Sequence, residues 1–156
     1  MVNALPGPKV VKDLFEELLD REVAVGPADP PRSGDITRLF IAVYVDASLQ
    51  MKAIAAMDVG LAAYTGAALG LVPAGGVRDL MATSSLSPVL VSNIETIYER
   101  LIATMGAPSL RLYQTFTPGQ PLPADVSGHL LALGKRRDLT LALQGYGKGR
   151  LSIICP

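Results

Sequence analysis

Few side chains in this chain have the type and spacing to do chemistry. His129 is the only histidine and Cys155 the only cysteine. A Ser-His-Asp or Cys-His site would have to use His129. That residue lies in Gly128-His129-Leu130-Leu131-Ala132-Leu133, which reads as a strand, and no nucleophile elbow occurs in the chain. His129 is therefore read as structural or surface. One cysteine rules out an intrachain disulfide and a cysteine metal cluster, and one histidine rules out a multi-histidine site. No clustered carboxylates suggest a hard-cation site, so neither a metal nor a cofactor is expected. Gly145-Tyr146-Gly147-Lys148-Gly149 lacks the Gly-x-x-x-x-Gly-Lys-Ser/Thr spacing of a phosphate loop, and no helix follows it. It reads as a hairpin turn. Lys135-Arg136-Arg137 suits an anionic partner no better than a solvated turn. Glu95 and Glu99 are four apart on a polar helix face, a pattern that more often marks solvent than catalysis. Asn93 is the remaining candidate.

Asn93 sits in a helix whose ends are both written in the sequence, Ser87 to Gly106. Ser87 is a good N-cap, because its hydroxyl accepts from an orphan backbone N–H. Pro88 takes the first helical position, where its missing N–H costs nothing. Gly106 suits the left-handed C-terminal position and Pro108 blocks continuation. Leu90, Ile94, Ile97, Tyr98, Leu101 and Met105 form one apolar stripe at helical spacing. Asn93 lies on its flank, on the side of Arg100 and Thr104.

The rest of the chain must position this helix. Lys9 to Arg21 reads as a helix with Val10, Val11, Leu14, Phe15, Leu18 and Leu19 on its stripe. Glu22 to Val25 is a short strand, and Gly26 to Gly34 is a loop. Ile36 to Val45 carries the strongest strand signal. Asp46 or Ser48 then caps a long helix, Leu49 to Leu71. Its Ala56, Gly60, Ala63, Ala67 and Gly70 make a seam that lets a neighbour approach closely. Glycine in a helix interior costs ~1 kcal/mol, so a compensation is expected at Gly60 and Gly66. Val77 to Ala82 reads as a short helical segment. Beyond the central helix the period changes to two. Strands are expected at Ser109–Phe116, His129–Leu133, Leu139–Gln144 and Arg150–Ile154, with Thr117 to Ser127 as a proline-bearing loop. Helices early and strands late predict an α+β fold with an antiparallel sheet, in a single domain over 1–156. No internal repeat is evident.

Bulk composition narrows the function classes. Hydrophobic residues are 49% and charged residues 18% of the chain, against general disorder. Lys plus Arg and Asp plus Glu are 14 each, so charge gives no reason to expect nucleic acid or an anionic membrane as partner. The one membrane candidate, Ala53 to Val72, is rich in Ala and Gly and contains Asp58, so it reads as a buried helix. The N-terminus shows no secretion signal, and the lack of disulfides fits a reducing cytoplasm.

The order of elements resembles the CheC/CheX family, phosphatases that dephosphorylate the chemotaxis response regulator CheY. The likeness runs from about Val10 to the end. Val10 to Val25 resembles the family's opening helix and strand, Leu86 to Ile102 its signature helix, and Gly145 to Ile154 its last hairpin. The family motif on that helix is Glu-x-x-Asn. There the Glu holds the regulator and the Asn orients the attacking water. The Asn falls on Asn93, but the Glu falls on Leu90, and the family's small residue falls on Ile97. A leucine cannot do the electrostatic work of a glutamate. The resemblance therefore implies a CheX-like domain, an antiparallel sheet on two long helices plus an N-terminal helix, that has lost the usual site. It is expected to serve as a non-catalytic interaction or sensory module. Asn93 is the motif remnant, and Leu90, Asn93 and Arg100 mark the partner face. A receiver-domain protein is the expected partner. A working receiver phosphatase using Asn93 with another carboxylate is one alternative, and a small-molecule-binding protein with a pocket under the Ala/Gly helix is another. A homodimer is expected, because Leu139–Leu143 and Leu151–Cys155 are apolar strands near a chain end, and an unprotected apolar edge tends to pair. The resemblance implies the same.

Overall fold

A computed structural model describes residues 5–73, 75–77, 87–106 and 109–156. The first helix, α1 (Pro8–Leu19), starts on Pro8 and buries Val11, Phe15 and Leu19, one residue per turn. It stops where Asp20 turns left-handed, with φ 52°, and donates its N–H to Glu16 O. Strand β1 (Val23–Pro27) follows. A single 3-10 turn (Ile36–Arg38) then leads into β2 (Leu39–Val45), every residue of which is buried.

The expected long helix from Leu49 to Leu71 is instead a strand and a shorter helix. Strand β3 (Met51–Asp58) pairs antiparallel with β2 on one side and with the last strand on the other. Alanine is the best helix former, but propensity is worth only tenths of a kcal/mol per residue, and pairing with two flanking strands overrides it. The N-cap is Asp58, not Asp46 or Ser48. Its Oδ1 accepts from Leu61 N at 2.8 Å and opens α2 (Val59–Leu69). Asp46 holds the β2–β3 turn, its Oδ1 accepting from the N–H groups of Ser48 and Gln50. Of the segment expected at Val77–Ala82, Val77 is helical, as are Gly75 and Gly76 before it, and the remainder lies outside the described residues.

The helix α3 (Pro88–Leu101) begins as the sequence requires, with Ser87 Oγ accepting from Leu90 N at 3.3 Å. A 3-10 turn (Ile102–Thr104) continues it to Gly106, where φ is +64°. Pro108, expected to block continuation, lies outside the described residues. Strand β4 (Arg111–Phe116) follows, then α4 (Ala124–Leu131). The expected loop at Thr117–Ser127 and strand at His129–Leu133 are thus replaced in part by α4, and His129 lies in its last turn. Val126 and Leu130, four apart, are buried beside Ile41, Phe116 and Ile154. The helical period is real there, but only two residues carry it, while the Leu-rich run imitates a strand. Strands β5 (Arg136–Leu143) and β6 (Gly147–Ile154) close the chain as a hairpin.

The six strands form one antiparallel sheet in the order β1-β5-β6-β3-β2-β4. Helices α1, α2 and α3 share one core with the face bearing Phe40, Tyr44, Met57 and Leu141. The other face carries α4. Strands β5 and β6, expected near an edge, lie inside the sheet, because β1 crosses over to cover β5. The edges are β1 and β4. The sheet order hides a two-fold pattern. Helix, strand, short helix and hairpin occur before α2 and again from α3 onward, and β1, β2 and β3 match β4, β5 and β6 by position. The sequence carries no trace of this repetition.

The glycines at the start of β6 set how closely α2 lies on the sheet. A Cβ on Gly149 would stand 2.5 Å from Asp58 Oδ1 and 2.8 Å from Leu61 N. One on Gly147 would stand 2.8 Å from the Tyr64 ring. Gly145, with φ +84°, makes the turn itself. The glycine-rich run is thus a hairpin plus a helix seat. Gly149→Ala is expected to push Asp58 off its capping position and to cost ~1–3 kcal/mol, read as a lower urea midpoint with an unchanged slope.

Candidate functional site

The site expected from the sequence centres on α3, and α3 is fixed from several directions. Ile94, Ile97, Tyr98, Leu101 and Met105 are fully buried in the main core. Two tyrosines tie the helix to β2. Tyr98 Oη donates to Phe40 O, and Tyr44 Oη donates to Tyr98 O at 2.7 Å. Burial raises both phenol pKa values well above the ordinary range, so both stay neutral donors. On the other flank, Thr115 Oγ1 of β4 donates to Glu95 Oε2 at 2.8 Å. Glu95 is therefore a tether to the sheet.

Helix α2 crosses α3 at the motif positions. Leu90 is 2% exposed and packs with Ala63, Ala67 and Val77. A Cβ on Gly66 would stand 3.1 Å from Ile94 Cγ1 and 3.2 Å from Leu90 O. The glycine is what lets the two helices approach, and that contact is its compensation. Gly60 has only ordinary contacts and shows no such reason. Asn93 Nδ2 donates to Gly66 O at 3.0 Å, and a Cβ on Gly70 would stand 2.7 Å from the same nitrogen. Asn93 is half-buried and its amide is engaged between helices. Arg100 lies exposed, near the end of α3. The structure thus brings Leu90 and Asn93 together against α2 and leaves Arg100 apart from them on the outer face.

That outer face has its own ridge. Val89, Thr96 and Arg100 are exposed at helical spacing around Asn93, with Ser92 beside them. Val89 is 65% exposed, and Leu71, which follows Gly70, is 82% exposed. Leu71 also sits left-handed, with φ +59°, a conformation that costs a leucine ~1–2 kcal/mol. Sequence reading missed both residues. Val89 was masked by the stripe beside it, and Leu71 by the helix expected to run through it.

A second concavity, about 250 Å³, opens at the start of α2. Arg38, Arg150, Asp29, Asp35 and Asp58 line it, above Leu39 and Ala56. Asp58 is occupied by Leu61 N and Arg150 N, and Asp35 Oδ2 accepts from Arg32 N. Neither arginine has an ion-pair partner among the described residues. With two cations against three carboxylates, the cleft has no marked preference for anions. Among the described residues no group of three His, Cys, Asp or Glu side chains is placed to hold a metal ion. No helix of the described residues is long and apolar enough to cross a membrane.

No family model matches the sequence, and no curated protein does. Solved structures do match. A chain of the FliM–SpeE complex from H. pylori has a TM-score of 0.59 at 8% identity, over 96% of this chain and 81% of its own. A chain of the FliG–FliM complex from H. pylori has a TM-score of 0.58 at 9% identity, over 96% of this chain and 86% of its own. A chain of the CheX–CheY complex from Borrelia burgdorferi has a TM-score of 0.42 at 12% identity, over 91% of this chain and 90% of its own. The chain has the α+β fold of the FliM middle domain. Its neighbours in that fold include chains solved in the FliM–SpeE and FliG–FliM complexes.

Proposed function

We propose that the protein is a non-catalytic interaction module of signal transduction, acting in the cytoplasm and binding a receiver-domain protein or a related signalling partner. One observation carries the reading. Where the CheC/CheX motif needs a Glu facing outward, this chain has Leu90 buried against Ala63 and Ala67. Asn93, the other half of the motif, gives its amide to Gly66 O. That bond takes one of the amide's two N–H groups and ties the side chain to α2 rather than leaving it turned outward. The partner face is the outer ridge of α3, where Val89 and Arg100 flank Asn93, with Leu71 following Gly70 close by. An exposed leucine in a strained conformation is costly in the free protein, and a partner's surface would offset that cost. The fold neighbours caught in partner complexes give the same reading a precedent. The test is a panel of phosphorylated receiver domains. Binding without faster loss of phosphate is the expected outcome, with Val89→Glu weakening the binding and leaving the melting temperature unchanged. Faster loss of phosphate from any receiver in the panel would overturn it.

A further inference from the structure

The cleft at the head of α2 holds charges of both signs that do not neutralise one another. Arg38 ends the 3-10 turn, Arg150 stands on β6, and Asp29 and Asp35 belong to the connection between β1 and β2. All four line the same space of about 250 Å³, and none pairs with another among the described residues. The carboxylate of Asp58 is already engaged, its two oxygens accepting from Leu61 N and Arg150 N. Leu39 and Ala56, both buried on the α4 side of the sheet, give the cleft an apolar floor. Gly60 lines it as well, and a Cβ there would meet nothing nearer than 3.7 Å. A glycine that no packing contact requires still serves where a ligand must come close to the backbone. The space expected under the Ala/Gly helix is closed, because Leu61 of α2 lies directly over Gly149.

We infer that this cleft binds a free α-amino acid with a small apolar side chain. The two unpaired guanidiniums suit a carboxylate, which a guanidinium fork holds by two hydrogen bonds. Asp29, and the Asp35 oxygen that does not accept from Arg32 N, suit an ammonium group. A plain anion would meet three carboxylates and a plain cation two arginines, so the match is to one molecule carrying both charges. Size selects within that class. The cleft has room for about eight waters at ~30 Å³ each, and so for a molecule of about ten heavy atoms. Leucine is about that size, and its side chain suits the floor of Leu39 and Ala56. A protein terminus brings one of the two charges, not both. The cleft lies at the head of α2, while the proposed partner face lies past its other end at Leu71. The inference therefore goes beyond the interaction reading and stands apart from it.

Isothermal titration of the protein with L-leucine is expected to show one site, with a dissociation constant between micromolar and millimolar. N-acetyl-leucine lacks the ammonium and leucine amide lacks the carboxylate, and each should bind about tenfold or more weaker. Arg150→Gln should weaken leucine by a similar factor with an unchanged melting temperature. Asp29→Asn should weaken leucine and leave N-acetyl-leucine as it was. Gly60→Ala separates binding from folding. It should raise the melting temperature by about 1–4 °C, because a glycine leaves a helix without a clash, and still weaken leucine. No heat from leucine at millimolar concentration would overturn the inference. So would N-acetyl-leucine or leucine amide binding as tightly as leucine, or inorganic phosphate binding more tightly than any of them. Receiver binding by the α3 ridge is measured without leucine and should not change in Arg150→Gln, so the two readings fail separately.

Discussion

Leu90→Glu is expected to unfold most of the stability of this domain and to restore no phosphatase activity. Leu90 is 2% exposed, beneath Ala63, Ala67 and Val77. Removing the leucine forfeits ~1.5–3 kcal/mol of burial. A carboxylate in its place must lose its hydration or take up a proton. A Cβ added at Gly66 would stand only 3.2 Å from Leu90 O and 3.5 Å from Leu90 Cδ2, so the helices have no slack for a longer, hydrated side chain. The total loss exceeds ~3 kcal/mol, a large share of the ~5–15 kcal/mol that holds a domain together. Two companions make the result readable. Leu90→Ala should cost ~2–5 kcal/mol through its cavity alone. Val89→Glu, one residue away and 65% exposed, should cost almost nothing. Equilibrium urea unfolding of the three variants, with a phosphate-release assay on a phosphorylated receiver, decides the matter. A Leu90→Glu variant as stable as the wild type would mean that this side chain can turn outward, and the closed-site reading would fall.

What the sequence revealed followed from how local each signal was. The helix at Pro88 was readable because its cap, its proline and its stripe all lie within a few turns of one another. The stripe alone placed Leu90 inward. The bond from Asn93 to Gly66 was not readable, since it joins residues 27 apart on two helices. Strand β3 was missed because Met51 to Asp58 is helix-like by propensity and becomes a strand only between β2 and β6. The expectation that β5 or β6 forms an edge failed for a similar reason. Apolar alternation describes a strand, but its place in the sheet depends on a crossover made by β1. The Lys135-Arg136-Arg137 run was misread most, because its composition says solvent while Arg136 and Asp138 are among the least exposed charged side chains.

Breaking that pair is the second large effect expected. Arg136 and Asp138 have side chains 7% and 9% exposed, on the α4 side of β5. The guanidinium donates twice to the carboxylate, Nε to Oδ2 at 2.8 Å and Nη2 to Oδ1 at 2.9 Å. Its Nη1 donates to Leu130 O and Ala132 O, the free carbonyls at the end of α4. Ser152 Oγ of β6 donates to Asp138 Oδ1 at 2.6 Å. One arginine thus closes the helix end and holds α4 to the sheet. Arg136→Met leaves the carboxylate buried with a single hydroxyl donor and strips two carbonyls of their partner. The expected cost is ~3–5 kcal/mol. Asp138→Leu alone should cost a similar amount, because it leaves the guanidinium buried and half satisfied. The double variant Arg136→Met/Asp138→Leu should recover a large part of the loss, since neither uncompensated charge remains, while the open carbonyls of α4 keep the recovery incomplete. A urea-unfolding cycle over the four proteins measures this directly. Additive losses in the double variant would mean that the two side chains act independently, and that α4 is held to the sheet by Val126 and Leu130 alone.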